Sequence, residues 1–429
     1  MPSLLRHMEA RRVGRATQRV RAQRDYLSFV VRRHWPLGVG LGGVMAGIVT
    51  LIPSAWGLTV SAVALVVGVG MWGRDVVLAR QQWARLQCVA VASMFPVAEV
   101  KPPLGYETGT YLCIPNRGTM LVHRDADRVL TEGPIATELD PTPYRLPAEL
   151  QDLAPLALRT MRTGRVIFDG PMLGLRDDLI PGRSGKSRPL RLMRTSFFMQ
   201  VCSAELCQFR IVDRVTGAEQ DIRLLELVEP SGRLVTLASS RLANNIGIST
   251  LAFTSDDRLL VVHQSQRNIA SGRLLAPSGS GTLEPDDFAA AGPGASLQDV
   301  LVRGMERELC EETGIGFADV LQTQVIGFGR WLERGAKPEF FGVTRLRASA
   351  REVSTARIRG GEMLYTERVS AVFVDLDRLR RDLEAGHSID QAPNCPAVVR
   401  DSGSLPLIAG LRAVAVGDPR QPVPAKANR

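Results

Sequence analysis

The strongest constraint on this chain is a stretch without a single charged residue, running from Trp35 to Gly73. It is too long for the apolar core of a signal peptide and long enough for two membrane spans. Pro53-Ser54 and Gly57 interrupt it near its middle. The expectation is a hairpin of two transmembrane helices at about residues 36–52 and 56–72, each close to the shortest length that crosses a bilayer at about 1.5 Å per residue. Trp35, Trp56 and Trp72 fall at the interfaces, where an indole ring can be apolar on one side and hydrogen-bonded on the other. The alternative is a buried hairpin in a water-soluble core, which would keep the polar face that this run lacks.

Charge orients the hairpin. Of a net charge of +9, the first 34 residues carry +7, nine Arg against Glu9 and Asp25. Arg74, Arg80 and Arg85 follow the second span, and the turn between the spans has no charge. The positive-inside rule then puts both termini and the soluble domains in the cytoplasm, and the chain in the inner (cytoplasmic) membrane with the lipid bilayer as its partner. Because the basicity sits beside the spans, no nucleic-acid groove is expected. Gly38-x-x-x-Gly42 and Gly43-x-x-x-Gly47 place small residues on one helix face. That suits a homo-oligomer assembled through these Gly-rich helices, or only the general frequency of glycine in such helices.

A length of 429 residues suggests two or three units. After a basic arm at 1–34 and the hairpin at 35–73, a stalk helix and linker are expected at 74–103, the helix running through Phe95 until Pro96, Pro102 and Pro103 stop it. Residues 104–243 read as an accessory α+β region, with short strands at 111–114 and 119–123, a helix at 146–161 and strand-like alternation over 191–214. Gly182-Arg-Ser-Gly-Lys186-Ser187 imitates the end of a phosphate-binding P-loop, but the first glycine of that pattern falls on Ile180, so the segment reads as a basic loop. The six Cys and five His form no C-x-x-C pair and no cluster, so neither a zinc site nor a His-based triad is expected.

The chemistry-bearing segment is Arg307-Glu308-Leu309-Cys310-Glu311-Glu312-Thr313-Gly314-Ile315. On a helix, Glu308, Glu311 and Glu312 stand at i, i+3 and i+4 on one face. Three adjacent carboxylates repel one another unless cations sit among them, and Mg²⁺ prefers such oxygen ligands. The bland alternative is a solvated acidic face. Leu297, Leu301, Met305 and Leu309 make a core stripe on the opposite side, and Gly314 is placed to end the helix in a left-handed conformation.

This pattern resembles the second half of the Nudix box. The resemblance implies an α/β fold, a Nudix-type α/β/α sandwich over residues 244–417, with residues 418–429 left as a disordered tail. It also implies Mg²⁺ or Mn²⁺ held by Glu308, Glu311 and Glu312, catalytic roles for Glu308 and Glu312, and Arg307 orienting a carboxylate. The first half departs from the pattern: its glutamate falls on Asp299 and its first glycine on Pro293. Arg273 to Glu284, with Gly279 and Gly281, resembles the strand and Gly-rich loop that enter the box, and Pro285 to Pro293 then reads as an inserted segment beside the metals. Strands are expected at 248–254, 258–264, 320–331, 339–346 and 369–374, and a helix at 376–385. Gly279, Gly281, Phe328 and Phe340 are candidates for substrate binding. Phe328, Trp331, Phe340 and Phe341 suit base stacking or core packing, and Glu339, Glu362 and Glu367 are open candidates for a further acid.

Two functions follow as expectations. One is a membrane-anchored Nudix-type hydrolase that cleaves a phosphoanhydride bond of a nucleoside diphosphate derivative with a divalent metal. The other is a nucleotide-signal sensor, since two membrane helices fused to such a domain resemble the effectors of bacterial cyclic-oligonucleotide anti-phage systems.

Overall fold

Apolar-rich runs flank Ser255-Asp256-Asp257, and the chain turns there, with Asp257 in the left-handed region at φ 52. In this computed structural model, which describes residues 20–30, 32, 55–91, 94–162, 167–180, 189–265, 274–355 and 366–417, the two flanking segments are strands of a mixed α/β unit. That unit comprises residues 92–144, 171–195 and 226–429, and a second unit comprises 1–91, 145–170 and 196–225. The accessory region at 104–243 is therefore divided between them. The N-terminal part of the arm, the first span with its glycine pairs, the Gly182–Ser187 loop, Glu362 and the tail lie outside the described residues.

The larger unit runs β1 (Thr110–Ile114), β2 (Gly118–Val122), α1 (Arg124–Glu132), β3 (Thr137–Asp140), β4 (Pro171–Leu175), β5 (Leu190–Ser196), β6 (Gly247–Phe253), β7 (Arg258–Gln264), β8 (Leu275–Ala276), β9 (Gly279–Thr282), α2 (Pro285–Ala291), α3 (Leu297–Thr313), β10 (Val320–Trp331), β11 (Lys337–Leu346), β12 (Thr366–Phe373), α4 (Leu376–Glu384), α5 (Ala397–Ser402) and α6 (Leu405–Val416). Its main sheet has the order β8-β7-β6-β11-β10-β2-β1, with β9 also on β6 and β12 also on β7. The β6–β11 pairing is parallel and the others are antiparallel.

Period-two alternation sends successive side chains to opposite faces. Ile248 and Phe340 pack with Leu297, Leu301 and Met305 of α3. Leu251 and Phe341 pack on the other face with Leu405, Ile408 and Leu411 of α6. The sheet thus lies between α3 and α6, as the helix and strand periods foretell. The N-terminal end of α3 is pinned by Gln298, whose amide donates to the carbonyls of Leu130 and Gly133 and accepts from Ile135 N. These bonds occupy carbonyls at the end of α1 that helix geometry leaves open.

In the smaller unit a helix spans Ala55–Arg85, so the second expected span, 56–72, lies inside it. Among the described residues no helix is long and apolar enough to cross a membrane. The stalk helix ends about ten residues before the expected stop at Phe95. Leu86–Ala90 is instead a strand, paired antiparallel with Phe209–Asp213, which in turn pairs with Glu219–Asp221. Ladder hydrogen bonds to a distant strand override local helix preference here. Likewise the run 191–214 is two strands separated by a short helix, Phe197–Val201, whose N-cap Ser196 accepts from Met199 N.

α1 is fastened to β10 by Asp127, whose Oδ1 accepts from Phe328 N at 2.8 Å. Burial pushes this carboxyl from 3.8 up to about 7, against the lowering effects of that bond, Arg412 and Arg124. The unfolded chain ionises first, so stability from this site is full below about pH 4 and is lost as pH rises through 7. Asp127→Asn should therefore match the wild type at pH 4 and exceed it by about 4 kcal/mol at pH 8. Urea unfolding at the two pH values checks this.

Candidate active site

The carboxylate helix α3 begins at Ser296, whose hydroxyl accepts from Asp299 N, while the Asp299 carboxylate accepts from Ser296 N at 3.1 Å and Ser296 Oγ at 2.7 Å. This reciprocal cap absorbs the aspartate that stands where the family pattern has glutamate. Leu297, Leu301, Met305 and Leu309 are buried, as their spacing requires. The helix ends at Gly314, left-handed at φ 75, with its N–H on the Cys310 carbonyl at 3.0 Å. With both ends held, Glu308, Glu311 and Glu312 sit on one rigid turn.

β9 lies directly on that turn. A methyl group at Gly279 would stand 2.5 Å from Leu309 N, and one at Gly281 would overlap the Glu308 carboxylate. Both glycines were expected to bind substrate. In the structure their first role is steric: only a strand without side chains at these positions comes this close to the helix. The approach lets Ser280 N donate to Glu312 Oε2 at 3.0 Å, which accounts for a glutamate only 5% exposed.

Arg307 organises the rest. Its Nε and Nη2 each donate to Asp287 at 2.9 Å, Nη2 also reaches the Thr282 carbonyl at 3.1 Å, and Nη1 donates to Glu308 at 2.9 Å and Glu311 at 3.4 Å. Burial works against the charged guanidinium, but the Asp287 bonds and the charges of Glu308, Asp287 and Glu284 prevail and hold it above its ordinary range. Burial pushes Glu284 up, Arg307 opposes, and Asp287, Glu311 and Asp286 add to the rise. The segment at 285–293, expected as an inserted loop, contains α2, capped by Glu284, whose N–H donates to Asp287 at 2.9 Å. Asp287 is the functional residue that sequence reasoning missed. The available signal was Pro285-Asp286-Asp287, a proline followed by acids at a helix start.

The carboxylate oxygens have the right chemistry for a hard divalent cation. Their placement does not fit one. Arg307 balances Glu308 and Glu311, Glu312 turns to Ser280, and among the described residues no group of three or more His, Cys, Asp or Glu is arranged to hold a metal. Phe328 and Phe340, candidates for substrate binding with core packing as the commoner role for such residues, are 2% and 0% exposed and pack on each other at 5.1 Å between ring centroids. They are core residues of the α3 face, because strand alternation turns them inward. Glu339 is buried against Lys337 at 2.9 Å and accepts from Ser249 Oγ at 3.1 Å, whereas Glu367 is exposed on β12.

No family model matches the chain, and no curated protein matches it. Among solved structures it is similar to the MutT protein of Methanosarcina mazei Go1, at 18% identity over 39% of this chain and 92% of that one, with a TM-score of 0.21. It is similar to DR0079 of Deinococcus radiodurans at 13% identity over 41% and 96%, with a TM-score of 0.22. It is also similar to Tm1382, provisionally called a Nudix hydrolase, at 13% identity over 32% and 61%, with a TM-score of 0.22.

Two outcomes test the geometry. Gly279→Ala should destabilise the protein by about 2 kcal/mol through overpacking, whereas Gly133→Ala, with open space at its Cβ, should stay within about 0.5 kcal/mol. Asp287→Asn should cost about 3 kcal/mol, because it leaves a largely buried guanidinium without its main counter-charge. Chemical denaturation of the three variants and the wild type reads these differences.

Proposed function

We propose that this chain is a membrane-anchored, Nudix-type hydrolase that cleaves a phosphoanhydride bond of a nucleoside diphosphate derivative at the α3 carboxylates. The observation that carries the reading is the Arg307-Glu308-x-x-Glu311-Glu312 turn, intact on a helix capped at both ends and backed by a glycine strand. Hydrolysis needs a base for water and positive charge toward phosphate oxygens. Glu308 and Glu312 are the assigned carboxylates, Glu311 is the most exposed of the three, and Arg307 holds Glu308 and Glu311 from one side. The family resemblance adds Mg²⁺ or Mn²⁺ on Glu308, Glu311 and Glu312. The arrangement seen does not fit such an ion, because Arg307 Nη1 holds Glu308 and Glu311, so no step is assigned to a metal.

The membrane anchor rests on the uncharged run at 35–73. It is supported by Val66, Val67, Val69, Met71, Trp72, Val77 and Leu78, large apolar residues exposed along the helix Ala55–Arg85. Such a row calls for an apolar covering. The lipid bilayer is the covering proposed, with association of copies as a further consequence.

A second reading is a sensor that binds a nucleotide signal, such as a cyclic oligonucleotide, without turning it over, the hairpin acting as effector in anti-phage defence. The feature favouring it is the locked state of the carboxylates, two of which are neutralised by Arg307. The deciding experiment uses the full chain in detergent with Mg²⁺ or Mn²⁺. Nucleoside diphosphate derivatives and cyclic oligonucleotides are supplied, and both binding and product are followed. Turnover by the wild type that falls about 100-fold or more in Glu311→Gln/Glu312→Gln is the expected result. Tight binding with no product in either protein replaces the hydrolase by the sensor.

A further inference from the structure

A cavity of about 860 Å³ opens on the face of the sheet that carries α6, lined by residues of β1, β2, α1, β10, β11, α4 and α6 and by none of α3. Its volume lies in the range of small-molecule sites. Leu112, Ile326 and Val343, half-buried against the core of that face, provide an apolar floor. Four arginines line it, and two of them are committed. Arg380 donates to the carbonyls of Ala415 and Gly417, and Arg128 pairs with Asp125 and Glu132.

The other two are Arg124 and Arg412, and among the described residues neither has a hydrogen bond or an ion pair within bonding distance. Burial draws the Arg412 guanidinium below its ordinary range, Asp127 opposes this, and the like charge of Arg124 adds to it. With Asp127 partly neutral and Glu384 the other carboxyl of the lining, these guanidiniums leave the site short of negative charge. A guanidinium is the side chain best shaped to take phosphate oxygens in pairs. We propose that this cavity is a second ligand site, for a nucleotide-sized phosphate ester, with its phosphate on Arg124 and Arg412 and its ring on Leu112, Ile326 and Val343. It is separate from the α3 carboxylates, so it has the character of a regulatory site.

The test is isothermal titration of the detergent-solubilised full chain with ADP, and separately with inorganic phosphate, in EDTA so that no divalent ion bridges ligand to the carboxylates. ADP should bind the wild type and Glu311→Gln/Glu312→Gln alike, and Arg412→Gln should weaken it about tenfold or more. Should Arg412→Gln fail to fold, Arg124→Gln, at an exposed position, carries the same expectation. The proposal is overturned if the wild type does not bind ADP, or if the arginine variants bind within twofold of it. It is equally overturned if only the glutamate variant loses binding, which would place ADP at α3, or if inorganic phosphate binds as tightly as ADP, which would remove the role of the apolar floor.

Discussion

A guanidinium taken largely out of water must be surrounded by counter-charge, and in this protein that requirement is met at Arg307 from three directions. Asp287 takes one edge bidentately, the Thr282 carbonyl lies beneath it, and Glu308 and Glu311 accept from the remaining nitrogen. The partners come from three pieces of chain. The single cation therefore sets α2, β9 and α3 against one another, and it holds three adjacent carboxylates on one turn without mutual repulsion deciding their positions.

Close approach makes that arrangement attainable. Gly279 and Gly281 let β9 press on the backbone of α3, which brings Ser280 N to Glu312. A side chain at either glycine would part strand and helix and leave Glu312 buried without its donor. The helix caps work to the same end, since Ser296 with Asp299 and Gly314 with Cys310 leave the turn little freedom. The site is rigid because backbone groups, more than flexible side chains, hold its acids.

The two faces of the main sheet carry opposite chemistry. On the α3 face, acids are gathered around one cation. On the α6 face, Arg124 and Arg412 stand near the half-buried Asp127 over an apolar floor. The sheet separates them, so a ligand on one face would reach the other only through the packed strands.

Residue order alone determined the regular parts. The four-residue steps of Leu297, Leu301, Met305 and Leu309, the glycine that ends them and the apolar-rich runs at 247–264 and 320–346 are local signals, and local backbone geometry obeys them. The motif itself, Arg307 with its three glutamates, was legible for the same reason. Tertiary structure alone decided what those residues touch. Leu86–Ala90 became a strand because a partner 120 residues away offered ladder bonds. Phe328 and Phe340 became core because the sheet turned them toward α3. Asp287 became the anchor of Arg307 because an inserted helix folded back over the site. Contacts between residues distant in sequence depend on where whole elements pack, and no spacing along the chain encodes that.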